Sequence, residues 1–230
     1  MIHIINKIPY KPDNDAHAAG LRLKPDSADL QDFLKLKKIV ETKASPKIIY
    51  KEAYITGRRQ HSITIDTVQF NSLVLRKNLT DIEKVFCYIV TCGRELETVK
   101  TEKNNFLAGY WLDYLMEDVL NHAHLYLKEH IRRKYKTAPL STMNPGAGHA
   151  KLWPIEEQKQ LFALFNNREK DIGVSLTKSF LMLPRKSTSG IFFPSAKSFQ
   201  SCQLCRRSRC PGRSTAFDPA LWQKMQNDKP

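Results

Sequence analysis

The chain contains no long apolar run. No stretch approaches the ~20 apolar residues that cross a bilayer, and the beginning of the chain has no apolar segment of the kind that a secretory signal carries. Cysteine is scarce as well, with five among 230 residues. Because disulfide frameworks form in exported proteins, we expect these thiols to be reduced and the protein to be cytoplasmic. Internal repeats and low-complexity blocks are also absent from the sequence.

Acidic residues are few in comparison with basic ones. Lysine and arginine number 37 against 23 aspartates and glutamates, which gives a formal net charge of +14. A basic surface attracts nucleic acid, anionic membranes or acidic proteins, although a solvated lysine-rich surface explains the same count. The sequence has no zinc-finger histidine pair, aromatic stacking motif or recognition-helix signature, so an acidic protein partner is favoured over nucleic acid.

What is present is the composition of an ordinary globular protein, with 41% hydrophobic and 26% charged residues. Periodicity predicts a helix over 28–41 that is capped by Ser27, and a hairpin whose strands are 48–55 and 62–70. It also predicts a buried strand over 85–90 and a long helix over 106–135. We therefore predict an α+β fold in which an antiparallel or mixed sheet is flanked by helices. We divide the chain into an N-terminal arm (1–26), a core (27–198) and a cysteine-containing C-terminal segment (199–230).

The most distinctive stretch runs from Asn144 to Gly190. It begins with a glycine and proline turn, NPGAGH, whose glycines permit backbone dihedrals that a β-carbon forbids. The dipeptide Trp-Pro at 153–154 ends this turn. A helix with acidic residues in its first turn follows, and then an extended segment over 173–184 and a turn rich in serine and threonine. Together these parts predict a site that holds a polar small molecule against the backbone.

This stretch resembles the activation domain of cobalamin-dependent methionine synthase. That family binds S-adenosylmethionine (AdoMet) and helps to remethylate an oxidised corrinoid after one-electron reduction. The AdoMet-binding turn of the family, Arg-Pro-x-x-Gly-Tyr, aligns with residues 144–149. Asn144 stands in place of the arginine and His149 in place of the tyrosine. The family's later run, Gly-x-x-Leu-Thr-x-Ser-x-x-Met-x-Pro followed by Ser-x-Ser-Gly, matches 173–190. The resemblance implies an activation-domain-like fold and a cofactor site formed by Asn144, Pro145, Gly146, Ala147, Gly148, His149, Ser187 and Ser189.

A second motif lies in the C-terminal segment, where two residues separate Cys202 from Cys205 and Cys210 follows. Three closely spaced cysteines are a signature of metal binding, and the arginines around them favour the thiolate forms. A turn at Pro211-Gly212 is expected to bend Cys210 toward the other two. Candidates for a fourth ligand are Cys92, a histidine, a solvent molecule and a substrate.

The resemblance implies one-electron corrinoid chemistry, which favours an iron–sulfur cluster at these cysteines over structural zinc. A reduced loop without metal stays open as a third possibility. The spacing of the three cysteines differs from the cysteine spacing of ferredoxins, so it does not define the type of cluster.

The resemblance further implies an accessory protein for reductive activation and remethylation of a corrinoid on a partner methyltransferase. The chain has no evident corrinoid-binding module, so we expect a partner to hold the cobalamin and the basic surface to dock that acidic corrinoid protein or a flavodoxin-like reductant. If the protein is catalytic, the reaction is a reductive methylation of the methionine synthase type, and the sequence singles out no catalytic residue. Two alternatives stay open: a basic nucleic-acid-binding module braced by zinc, and a relic of the activation fold that no longer binds AdoMet.

Overall fold

The structure is a computed structural model, and it describes residues 1–11, 17, 19–102, 104–149, 151–195, 199–210 and 213–226. Its α-helices are Ala28–Lys43 (α1), Leu73–Asn78 (α2), Phe106–Tyr135 (α3), Gln158–Ala163 (α4) and Pro219–Gln226 (α5). Its strands are Ile2–Ile5 (β1), Lys47–Arg58 (β2), Ile63–Ile65 (β3), Val68–Phe70 (β4), Lys84–Thr91 (β5), Leu140–Met143 (β6), Ser175–Leu176 (β7), Met182–Leu183 (β8) and Ser187–Pro194 (β9). Short 3₁₀ turns cover Arg94–Thr98, Ile155–Glu157, Arg168–Ile172 and Ser201–Leu204.

The main sheet has seven antiparallel strands in the order β4-β3-β2-β5-β9-β6, and β1 also pairs with β2. The register places Tyr88 of β5 opposite Gly190 of β9, and Met143 of β6 opposite Ile191 of β9. The end of β6 therefore lies beside the middle of β9, and the chain that follows β6 runs toward the beginning of β9. This pairing brings together the two ends of the distinctive stretch, the glycine turn and the serine-rich turn.

Alternation along the strands divides the core between the two faces of the sheet. In β5, Phe86 and Tyr88 pack beneath α1 and α3, on what we call the helical face. Cys87 and Ile89 pack on the opposite face, which is covered by α2, α4 and α5. Because both faces are buried, β5 is apolar at almost every position, as the sequence predicts for a buried strand.

The two long helices begin where the sequence predicts. The Ser27 hydroxyl accepts a hydrogen bond from the N–H of Leu30 at 3.2 Å and caps α1. The Asn105 side chain accepts one from the N–H of Ala108 at 2.9 Å and caps α3. In the described part of the chain, no helix is both long and apolar enough to cross a membrane.

The predicted α+β fold is confirmed, and the pairing in the main sheet is antiparallel. The predicted hairpin is present, but β2 continues through Gly57 to Arg58, so the connecting turn lies later than the sequence suggests. Its second arm is divided into β3 and β4 at Asp66, where φ is +51°. The predicted extended segment forms only the short β7–β8 ribbon.

Residues of both terminal segments take part in the packing. β1 pairs with β2 over Ile48 to Lys51. Phe199, Leu204 and Trp222 belong to the core on the opposite face. Pro211-Gly212, the turn expected after the cysteines, lies outside the described residues.

Candidate functional site

The residues after β6 form a closed turn. Gly146 and Gly148 have φ values of +74° and +76°, which glycine adopts without strain. The N–H of Gly146 donates to the carbonyl of the buried Trp153 at 2.8 Å, and that bond closes the loop. The turn is thereby fixed beside the first residues of β9.

A cavity of about 360 Å³ lies between this turn and β9. Its volume falls within the range of small-molecule sites, ~300–1,000 Å³. Its lining combines apolar side chains with hydrogen-bonding groups, as a site for a partly apolar and partly polar ligand requires. The lining residues are Asn144, Pro145, Ile155, Gln158, Phe180, Leu181, Met182, Arg185, Ser187, Thr188 and Ser189.

Gln158 connects the two walls of this cavity. It is only 2% exposed, its Nε2 donates to the carbonyl of Phe180 at 3.0 Å, and its Oε1 accepts from Ser189 Oγ at 3.3 Å. A buried amide needs such partners, because leaving it unsatisfied costs about 1–3 kcal/mol. Gln158 therefore holds the segment before β8 at a fixed distance from β9.

Asn144 is bound into the sheet. Its Nδ2 donates to the Tyr88 hydroxyl and to the carbonyl of Ser189, both at 2.8 Å. The close approach depends on Gly190, because an added β-carbon there would lie 2.6 Å from Asn144 Nδ2 and 2.7 Å from the Tyr88 hydroxyl oxygen. The same hydroxyl lies 3.0 Å from Thr142 Oγ1.

Two neighbouring cations precede β9. Lys186 lies against α3, where its Nζ binds Asp113 Oδ2 at 2.9 Å and Glu117 Oε2 at 3.0 Å. Although burial opposes the charge, these two carboxylates raise the pKa of Lys186. Arg185 lines the cavity, and among the described residues that do so it is the only one with a charged side chain.

The predicted cofactor residues fall into two groups. Asn144, Pro145, Ser187 and Ser189 line the cavity, whereas Gly146, Ala147, Gly148 and His149 belong to the turn but not to the lining. Two residues of the second group, Gly148 and His149, face the C-terminal segment. A β-carbon on Gly148 would lie 2.7 Å from the Ser201 carbonyl oxygen, and the His149 ring lies 4.6 Å from the Trp222 ring.

The cysteine motif is held by Arg213. Its guanidinium donates to the carbonyl oxygens of Cys202 and Cys205 at 3.5 and 3.0 Å. Although burial opposes ionisation, hydrogen bonds from Ser214 and Thr215 and the charge of Arg213 hold the pKa of Cys202 below its ordinary value. The motif therefore presents one partly exposed thiol with raised thiolate character.

Cys92 lies elsewhere. It is fully buried on the helical face, whereas Phe199 and Leu204, which flank Cys202 in sequence, pack on the opposite face, so the sheet lies between them. Burial raises the pKa of the Cys92 thiol to about 12. The structure thus does not bring the predicted fourth ligand to the cysteine motif. Within the described ranges, no three histidine, cysteine or carboxylate side chains are grouped as a metal site.

Two comparisons with known proteins bear on this arrangement. A sequence profile of the family described as "Vitamin B12 dependent methionine synthase, activation domain" matches residues 110–207. The crystal structure of the MetH reactivation domain bound to AdoHcy (S-adenosylhomocysteine) is similar, with a TM-score of 0.53 at 15% identity, over 87% of this chain and 81% of that chain. This chain has the activation-domain fold. The resemblance predicted from the sequence is confirmed, and no curated protein matches the chain.

Sequence reasoning missed several residues of this activation-domain cavity. In the sequence, Gln158 is one polar residue near the start of a helix, and Phe180 and Met182 are apolar positions of an extended segment, so none of the three indicates a ligand site. Arg185 lies between two matched parts of the family run and carried no signal of its own. Their convergence depends on the packing of α4 against β9, which has no local signature.

Proposed function

We propose that this protein is an accessory protein for the reductive activation of a corrinoid cofactor held by a partner methyltransferase. The observation that carries the proposal is the cavity of about 360 Å³ between the Asn144 turn and Ser187–Ser189. Both parts of the family-like sequence contribute to its lining although they are distant in the chain. In this proposal 27–198 is the ligand-binding core, 1–26 an N-terminal arm and 199–230 a cysteine-containing C-terminal segment.

The residues of the cavity fit AdoMet or its demethylated product AdoHcy. Ile155, Phe180 and Met182 offer apolar surface that suits a purine, and the serine and threonine hydroxyls suit a ribose or an amino acid group. Gly190 lets Asn144 pack closely against β9, because a side chain there would displace Asn144.

AdoMet, when bound, supplies the methyl group that the reduced cobalt of the partner's corrinoid accepts. This chain contributes binding and orientation. Holding two reacting groups in the right geometry removes a large part of the activation barrier. Gln158 fixes the distance between the walls, and Asn144 fixes the turn to β9. The apolar side chains exclude water from the nucleoside.

Calorimetry with AdoHcy tests the ligand. We expect the wild-type protein to bind it and Gln158→Leu to weaken binding by about tenfold, because the substitution removes two buried hydrogen bonds that position the walls. Gln69→Leu, at an exposed site in β4, is the matched control and should leave the affinity unchanged. If neither AdoHcy nor AdoMet binds at millimolar concentration, the ligand assignment is wrong.

The basic surface suits an acidic corrinoid protein or a flavodoxin-like reductant. Association should slow as ionic strength rises above ~0.15 M, where the screening length is about 8 Å. An anaerobic pull-down should recover a protein with corrinoid absorbance. Recovery of nucleic acid alone, lost after nuclease treatment, would instead favour the nucleic-acid alternative.

A metal centre at Cys202, Cys205 and Cys210 is a separate part of the proposal, with iron–sulfur preferred over zinc. The lowered pKa of Cys202 and the loop held by Arg213 support it, and no step of the mechanism depends on it. Anaerobic purification with metal analysis and a visible spectrum tests it. Cys202→Ser should remove most of the metal and the buried Cys87→Ser should not; a colourless protein without metal would remove the centre from the proposal.

A further inference from the structure

We infer that Arg185 binds the carboxylate of the ligand in this cavity and so selects nucleosides that carry an amino acid group. The inference rests on the proposed function, since it concerns the same cavity. It goes further by naming the residue that reads one end of the ligand.

Arg185 lies in the short connection between β8 and β9. It lines the cavity together with Ser187, Thr188 and Ser189. Its neighbour Lys186 is held against α3, where its Nζ binds Asp113 and Glu117. Lys186 thus supports the fold, and the more exposed Arg185 is the cation that lines the cavity.

Arg185 is only weakly engaged by the protein. Its guanidinium lies 3.8 Å from Asp113 Oδ1, and its side chain is 75% exposed. Exposed ion pairs at such distances contribute little, and Asp113 has a closer partner in Lys186. The backbone N–H of Arg185 donates to Glu97 Oε1 at 3.3 Å, which fixes the base of the side chain.

The rest of the lining leaves this role to Arg185. None of the other described lining residues carries a charge, and the nearby Asp113 carboxylate is bound more closely by Lys186 than by Arg185. Asn144 occupies the arginine position of the family-like turn, but it is neutral and its Nδ2 already donates to Tyr88 and Ser189. A guanidinium binds a carboxylate through two parallel hydrogen bonds, which a neutral amide does not reproduce.

The test compares two ligands that differ in the group Arg185 is proposed to bind. AdoHcy carries the carboxylate, whereas 5′-methylthioadenosine has the same nucleoside and thioether without it. For Arg185→Gln we expect the affinity for AdoHcy to fall by about tenfold. This is the lower end of the range for loss of a hydrogen bond to a charged group, and we choose it because the arginine is exposed. The affinity for 5′-methylthioadenosine should not change. Arg185→Lys should restore part of the loss, and Arg168→Gln, at an exposed arginine paired with Asp171, is the control.

The outcomes are separable. Loss of AdoHcy affinity alone supports the inference. Equal loss of both ligands, or no loss of either, overturns it while leaving the proposed function in place. If the wild-type protein binds neither ligand, the proposed function fails and the inference fails with it.

Discussion

The hydroxyl of Tyr88 lies 2.8 Å from the side-chain nitrogen of Asn144, although Tyr88 is in the middle of β5 and Asn144 follows β6. The same hydroxyl lies 3.0 Å from His124 Nε2 on α3. One phenol thus connects the turn at the candidate site with the long helix on the helical face. The position of Asn144 therefore depends on residues well outside the cavity.

Replacing Tyr88 by phenylalanine should loosen this connection. Because the partly buried side chains of Thr142, Asn144 and His124 lose a partner, we expect a loss of about 1–3 kcal/mol in the free energy of unfolding and weaker AdoHcy binding. Urea denaturation and calorimetry measure the two effects. Tyr110→Phe, at an exposed tyrosine of α3, should change stability by less than about 0.5 kcal/mol. Equal effects of the two substitutions would contradict the role given to the Tyr88 hydroxyl.

His124 should make the protein less stable in mild acid. Burial, with a smaller contribution from Lys128, lowers the pKa of His124 from 6.5 to about 4. Between these values the unfolded chain binds the proton and the folded protein does not, so stability falls as the pH is lowered below 6.5. The loss by pH 5 is on the order of 2 kcal/mol.

The measurement is urea denaturation of the wild type and His124→Gln between pH 5 and 7. Glutamine has a hydrogen-bonding side chain but does not titrate, so the variant should lose less stability on acidification. Parallel curves would show that His124 titrates normally.

Gly148 should be intolerant of a side chain. Its φ of +76° is strained for alanine, and the added β-carbon would lie 2.7 Å from the Ser201 carbonyl oxygen. We expect Gly148→Ala to cost about 1–3 kcal/mol and to expose the C-terminal segment to limited proteolysis. Gly109→Ala in α3 is the control, because nothing lies within 4 Å of its added β-carbon; it should stabilise the protein by about 0.5–1 kcal/mol.

Cys202 should react faster with alkylating reagents than Cys87 or Cys92. It is partly exposed with a lowered pKa, whereas burial raises the pKa of both Cys87 and Cys92. In reduced protein treated with a chelator, iodoacetamide at pH 7.5 should therefore label Cys202 well before the two buried thiols. Mass spectrometry of a time course follows the labelling, and early modification of Cys92 would mean that its site opens to solvent.

The sequence predicted the principal elements well and one helix face poorly. Ser27 and the periodicity after it located α1, and the apolar run at Val85 to Val90 located β5. Helical spacing groups Tyr110 and Leu125 with the apolar residues of one face of α3, but they are 60% and 64% exposed. Neither belongs to the core cluster that contains Trp111, Leu115 and Val119.

The sequence by itself determined the Ser27 cap, the central strand, the closed glycine turn and the order of the family-like parts, because each depends on residues close together in the chain. Only the tertiary structure decided which of those parts share a cavity. The pairing of β6 with β9 placed Asn144 beside Ser189, and the packing of α4 brought Gln158 between them. It also placed Cys92 in the core of the helical face, whereas Phe199 and Leu204 beside the cysteine motif pack in the core of the opposite face. Distances between residues remote in sequence are fixed by strand register and packing, and neither leaves a local pattern.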